Sequence, residues 1–178
     1  MTRTSTRLGA IAATCALATA GLIAVSPSPA FAVVPDNCGP YSGGNVPAGY
    51  AVRDLTVLGP LYNGANEPGP VFVIGSSQAD TIVGSAFNDA ICARGDDDFV
   101  DGLGGEDEIY GGNGADVIYG GEDSDFISGG PQGDEIHGDA FNGGGSGNDV
   151  IQGGDGYDSG DGDAGVNSCV GVEFRTNC

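Results

Sequence analysis

An aliphatic side chain returns every ninth residue through much of this chain: Ile82, Ile91, Val100, Ile109, Ile118, Ile127, Ile136 and, after a longer step, Ile151. The residues on either side are mixed in polarity, as with Glu108 and Tyr110 or Glu135 and His137. Glycine-rich stretches such as "GGNGAD" fill the intervals. Neighbouring side chains of a strand face opposite sides, so one apolar position between two mixed ones predicts a short strand with one face inward. So much glycine makes helix implausible. The pattern predicts six-residue turns alternating with three-residue strands. The eighth position of each unit points into a core, and the seventh and ninth point outward.

The units read without a gap from Gly75: GSSQADTIV, GSAFNDAIC, ARGDDDFVD, GLGGEDEIY, GGNGADVIY, GGEDSDFIS and GGPQGDEIH. GDAFNGGGSGNDVIQ repeats the theme with extra residues at 141–146, GGDGYDSGD follows, and GDAGVNSCV is a failing last copy. One such unit buries too little to stand alone, but stacked units share a continuous aliphatic spine. Two units per coil would give two short parallel sheets facing each other across a thin core. The expected fold is all-β, a parallel β-roll (β-solenoid) over 75–170. Ahead of it, 33–74 reads as a short, irregular β/turn-rich cap, with strand-like runs "YAVRDLTVL" and "VFVIG". Residues 171–178 close the other end.

Charge gives the repeat a chemical meaning. The chain carries 25 acidic residues against five arginines and no lysine, a formal charge of −20. Nucleic acid is excluded as a partner on that ground. A chain this acidic and glycine-rich would ordinarily stay disordered. Position six of nearly every unit is aspartate, and with two units per coil residues 18 apart stack. Asp98, Asp116 and Asp134 would line one edge, and Asp107, Asp125 and Asp149 the other. Carboxylates one strand spacing apart repel by roughly 3–4 kcal/mol at an effective dielectric near 20. A cation between them turns that repulsion into coordination. Only oxygens are on offer, which favours Ca²⁺ over Mg²⁺, an ion that prefers to keep its waters. Glycine lets the turns take positive φ and lets carbonyls crowd one ion.

Residues 111–119, "GGNGADVIY", resemble the GGxGxDxUx nonapeptide of the RTX, or haemolysin-type, calcium-binding repeat family at every defined position. The turn half of "GGDGYDSGD" does too. The resemblance covers about 75–170 and implies Ca²⁺ held between turns two repeats apart. Position-six side chains would supply carboxylate oxygens: Asp98, Asp107, Asp116, Asp125, Asp134, Asp149 and Asp158. Main-chain carbonyls would come from Gly111, Asn113, Gly114, Gly120, Glu122, Gly129 and Pro131. The first two units lack the glycine pair, which puts metal at Asp80 and Asp89 in doubt. The 141–146 insertion disturbs the turn before Asp149. Gly160 and Cys169 replace the aliphatic residue and Asn167 the aspartate, so the roll should end there, capped by "VGVEF".

Residues 1–32 read as a cleaved secretory signal: Arg3 and Arg7, an apolar run, then "AFA". The expectation is a secreted, extracellular protein with no membrane span after cleavage. Four cysteines would remain: Cys38, Cys92, Cys169 and Cys178. They allow three pairings; Cys169–Cys178 and Cys38–Cys92 are favoured, without proof. No CxxC spacing occurs and His137 is the single histidine, which argues against a cysteine metal site. Asp97, Asp101, Gly102 and Glu108 fit part of an EF-hand loop, but Phe99 occupies a ligand position and helices cannot flank it. Every carboxylate pair is explained by the repeat, and 33–74 is too short for a catalytic domain. The reading is therefore a calcium-binding protein that is not an enzyme. The alternatives are a cell-surface adhesion module with an unknown partner or, more remotely, an accessory to a calcium-dependent hydrolase or lyase.

Overall fold

Each repeat half-coil ends in a strand, and the strands stack in register. The computed structural model describes residues 38–41, 46 and 48–178. The signal segment and the expected cleavage after Ala32 lie outside the described residues. A 3-10 turn at Gly39–Tyr41 comes first. The strands then follow in chain order: β1 (Ala51–Asp54), β2 (Leu61–Asn63), β3 (Val71–Ile74), β4 (Thr81–Val83), β5 (Ala90–Gly95), β6 (Phe99–Asp101) and β7 (Glu108–Asn113). After these come β8 (Val117–Gly121), β9 (Phe126–Pro131), β10 (Glu135–Asp139), β11 (Val150–Asp155), β12 (Ser159–Asp161), β13 (Ser168–Val170) and β14 (Phe174–Thr176). The described helix, α1 (Leu55–Leu58), is one turn long, with Asp54 accepting the Thr56 N–H at its start. No helix among the described residues is long and apolar enough to cross a membrane.

Odd-numbered strands form one seven-stranded parallel sheet and even-numbered strands the other, so the chain is a β-roll with two strands per coil. Strands β1 to β3, ahead of Gly75, are the first rungs of the same two sheets. The inward column of one sheet runs Val73, Ile91, Ile109, Ile127, Ile151. The facing column runs Tyr62, Ile82, Val100, Ile118, Ile136. All are buried, and together they make one narrow core. Positions seven and nine face outward from β7 to β11, where the strands alternate buried with partly or fully exposed residues. At the first rungs the outer face is covered instead. There Phe72, Ile74, Ala90 and Cys92 pack with Cys38, Val46 and Tyr50 from the N-terminal segment.

The insertion does not break the register. Val150 pairs with Phe126, a step of 24 rather than 18, so the extra residues are looped out between β10 and β11. The far end closes where position eight fails. Gly160 leaves room that Val172 fills: a Cβ at Gly160 would stand 3.0 Å from Val172 Cγ1, and Val172 is buried. Cys38 is bonded to Cys92 and Cys169 to Cys178, the Cα atoms of each pair 5.5 Å apart. Removing one inward side chain from so thin a core leaves a void that few neighbours can close. Ile118→Ala should therefore cost about 2–5 kcal/mol in urea unfolding at saturating calcium, whereas Val117→Thr, on the outer face of the same strand, should cost under about 1 kcal/mol.

Candidate metal centres

Two columns of aspartate run along the turns, and each carboxylate holds the coil before it. Asp98 Oδ1 accepts the Asp80 N–H at 2.7 Å, Asp116 Oδ1 that of Asp98 at 2.9 Å, and Asp134 Oδ1 that of Asp116 at 2.9 Å. Asp158 continues the column across the longer coil, taking the Asp134 N–H at 2.9 Å. The second column repeats this from Asp89 through Asp107 and Asp125 to Asp149. Both columns end on side chains that keep the bond: Asn167 Oδ1 accepts from Asp149 N–H, and Glu173 Oε2 from Asp158 N–H, each at 2.8 Å.

The second oxygen of each carboxylate separates the units into two kinds. Asp80 Oδ2 and Asp89 Oδ2 accept the N–H of Ser76 and Ser85 at 2.5 Å. In Asp98, Asp107, Asp116, Asp125, Asp134, Asp149 and Asp158 the Oδ2 is buried with no hydrogen-bond partner among the described residues. The backbone at position two accompanies this difference. Arg94, Leu103, Gly112, Gly121, Gly130 and Gly154 all have positive φ there, from 77° to 129°. Ser76 and Ser85 do not, and their N–H points back at the aspartate. Positive φ is uncommon for residues such as arginine and leucine. Asp149 is the exception, since Asp139 holds its position two without positive φ.

Eight buried oxygens without donors are a large electrostatic debt for one small domain. Burial is the main reason five of the ladder carboxyls sit far above the ordinary aspartate range. Asp116 is pushed up to about 6, Asp134 to about 7, and Asp98 and Asp125 to about 8. Asp107 reaches about 10, also chiefly through burial, with the charges of Asp125 and Asp89 adding to it. Arg53 pairs with Glu67 at 2.6 Å, Arg94 donates to the Gly75 carbonyl oxygen, and Arg175 donates to the carbonyl oxygens of Val172 and Cys169.

Position one explains what sits beside the orphan oxygen. A Cβ on Gly102 would stand 2.5 Å from Asp107 Oδ2 and would also strike the Gly120 carbonyl oxygen of the next coil. The same convergence occurs at Gly111 (Asp116 Oδ2 and Gly129 O), Gly129 (Asp134 Oδ2 and Gly153 O) and Gly138 (Asp149 Oδ2 and Gly162 O). A pocket of oxygens thus occupies the space where any side chain would begin. At Asp98 the corresponding residue is Ala93. The donor set is carboxylate and carbonyl oxygen throughout, which fits a hard cation with flexible coordination.

Four copies of the RTX calcium-binding nonapeptide repeat match the chain, at residues 74–109, 101–136, 110–143 and 144–169. These run without a gap over more than half of it. The chain belongs to the RTX calcium-binding repeat family. No curated protein and no solved structure matches it. The RTX repeats and the buried aspartates make calcium the ion of these turns. The seven aspartates singled out in the RTX pattern are the seven ladder residues with an orphan Oδ2. Of the carbonyl candidates, Gly120 and Gly129 bring their oxygens to an orphan carboxylate, and Gly111, lacking a Cβ, lets Asp116 Oδ2 and the Gly129 carbonyl converge. Asn113, Glu122 and Pro131 lie at strand pairings with Gly95, Gly104 and Asp155, and Gly114 packs on the Asp96 carbonyl. Sequence reasoning missed the carbonyls of Gly138, Gly153, Gly162 and Gly171, although extending the position-one register would have found them. It also missed Asp139, whose Oδ1 is buried without a partner. Gly120→Ala would drive a Cβ into Asp125 Oδ2 and the Gly138 carbonyl, whereas Gly144 has open space around it. Gly120→Ala should weaken calcium binding at least about tenfold in a calorimetric titration, about 1.4 kcal/mol, and Gly144→Ala should leave it unchanged.

Proposed function

We propose that this protein is a secreted, non-catalytic calcium-binding roll whose folding is coupled to calcium. The observation that carries the reading is the set of seven buried, unpartnered aspartate oxygens, each in a turn of the RTX pattern. Asp98, Asp107, Asp116, Asp125, Asp134, Asp149 and Asp158 would hold the ions through Oδ2, with the facing glycine carbonyls completing the shell. Calcium supplies the positive charge that lets stacked carboxylates remain ionised at the distance of adjacent coils. The chain's own part is to spend Oδ1 on the backbone of the neighbouring coil, which fixes Oδ2 in place, and to exclude bulk water by burial. Without the ion, charge repulsion and the entropy of many glycines favour the unfolded chain. With it, binding free energy becomes folding free energy. Extracellular calcium modules bind with dissociation constants of about 10⁻⁴–10⁻³ M, in line with a chain that folds after export.

Circular dichroism tests this directly. In chelator the spectrum should be that of coil, with a cooperative gain of β signal on adding Ca²⁺ and little on adding Mg²⁺; a fully folded roll in chelator would refute the reading. Protons should compete for the same oxygens. In the fold Asp98, Asp116, Asp125 and Asp134 titrate above the unfolded value of 3.8, so protonation of these groups stabilises the metal-free roll. That contribution is complete below the unfolded value and is lost as pH rises through about 6 to 8, the range of Asp116, Asp134, Asp98 and Asp125. The metal-free chain should therefore show more β signal at pH 5 than at pH 8. Raising the pH should strengthen calcium binding over that range.

A further inference from the structure

We propose a second metal site, of a different kind, on the outer face of the even-numbered sheet: a first-row divalent ion such as Zn²⁺ held by His137, Asp161 and Asp163. One ligand atom from each residue lies within 4.8 Å of the other two. His137 and Asp161 are register partners on β10 and β12, so their side chains leave the same face on adjacent rungs. Asp163 follows two residues on. His137 Nδ1 stands 3.7 Å from Asp163 Oδ2, too long for a good hydrogen bond. It is close to the separation of two ligands that share one tetrahedral ion at bonds of about 2.0–2.2 Å.

The side chains around the cluster are already fixed. His137 Nε2 lies 3.4 Å from Glu135 Oε1, the arrangement in which a carboxylate orients a metal-binding imidazole. Tyr119 stacks on the ring, with centroids 4.7 Å apart and planes 7° from parallel. Asp161 Oδ1 accepts from the Asp163 N–H at 3.0 Å and from Asn177 Nδ2 at 2.9 Å, which leaves its Oδ2 for a ligand.

A further carboxylate lies nearby: Asp139 is two residues beyond His137 at the end of β10. It is 5 % exposed, its Oδ2 takes the Ala164 N–H at 2.9 Å, and its Oδ1 is buried without a partner. Asp139 and Asp163 line one cavity of about 270 Å³, together with Asn177 and the looped-out residues Gly143 and Gly145. Asp139 thus adds negative charge beside Asp163, one of the three ligands. His137, Asp161 and Asp163 hold positions nine, nine and two of their units, so the position-six ladder does not account for them. Imidazole nitrogen selects zinc-like ions over calcium, which takes oxygen.

His137 is the chain's single histidine, so its ring resonances report this site alone. The full chain, labelled with ¹⁵N-histidine and held in excess Ca²⁺, is titrated with Zn²⁺. One equivalent should shift the ring signals, and further Ca²⁺ or Mg²⁺ should not. Asp161→Asn, read by the ring signals, and His137→Gln, read by calorimetric titration with Zn²⁺, should each weaken Zn²⁺ at least about 100-fold, beyond the usual loss for an outer partner, with the calcium response of the circular dichroism unchanged. Glu135→Gln, a positioning change, should weaken Zn²⁺ about tenfold. A ring that ignores Zn²⁺, or variants that hold it as well as the parent chain, would overturn the proposal. Either result leaves the calcium reading of the turns untouched, because the calcium response is read separately.

Discussion

One hydrogen bond, repeated along both edges, organises this molecule: an aspartate Oδ1 accepting the backbone N–H of the aspartate one coil earlier. It ties each turn to its predecessor and removes a buried N–H that would otherwise lack a partner. It also pins the carboxylate, so its other oxygen has a fixed direction. From Asp98 to Asp158 that second oxygen is buried, and no donor among the described residues reaches it. Backbone order and metal demand are therefore two ends of one side chain. A carboxamide could keep the first role and lose the second. This is what happens at Asn167, where the column accepts its last N–H without presenting a charge.

Glycine acts here through two separate constraints. At position one it is the absence of Cβ that matters, since the carboxylate and a carbonyl of the next coil fill that space. At position two it is the sign of φ, and Arg94 and Leu103 show that other residues are forced into the same conformation where glycine is missing. A non-glycine residue held at positive φ is strained and persists only when its surroundings over-determine it. The turn geometry is thus imposed by the stack, and glycine lowers its cost.

Most of the architecture was legible in the sequence because one period governs it. Ile118 and Ile127 announce the core, and the spacing of 18 places Asp98 under Asp116 before any coordinates are known. What could not be read was the division of labour within each carboxylate, because backbone hydrogen bonding between coils leaves no trace in residue type. The covered face around Cys92 was equally hidden: Ala90 and Cys92 look like ordinary outward positions until the N-terminal segment lies over them. Asp139 was invisible for another reason. It sits where the repeat expects a second glycine, beside an insertion, and a departure from a pattern does not say what replaces it. Val172 likewise fills the gap at Gly160 from outside the repeat register.

The two ends of the roll are unequal. Asp80 and Asp89 have both oxygens satisfied by protein groups, Oδ1 by Ser76 Oγ in one and by Val71 N–H and Ser85 Oγ in the other, and the disulfide from Cys38 to Cys92 fastens the segment that covers these rungs. Nothing at this end waits for an ion. The assembly is polar: its first rungs are closed by the chain's own hydrogen bonds and a covalent clasp, and every later rung leans on a charge from outside the polypeptide, so loss of that charge should fray the roll from its far end.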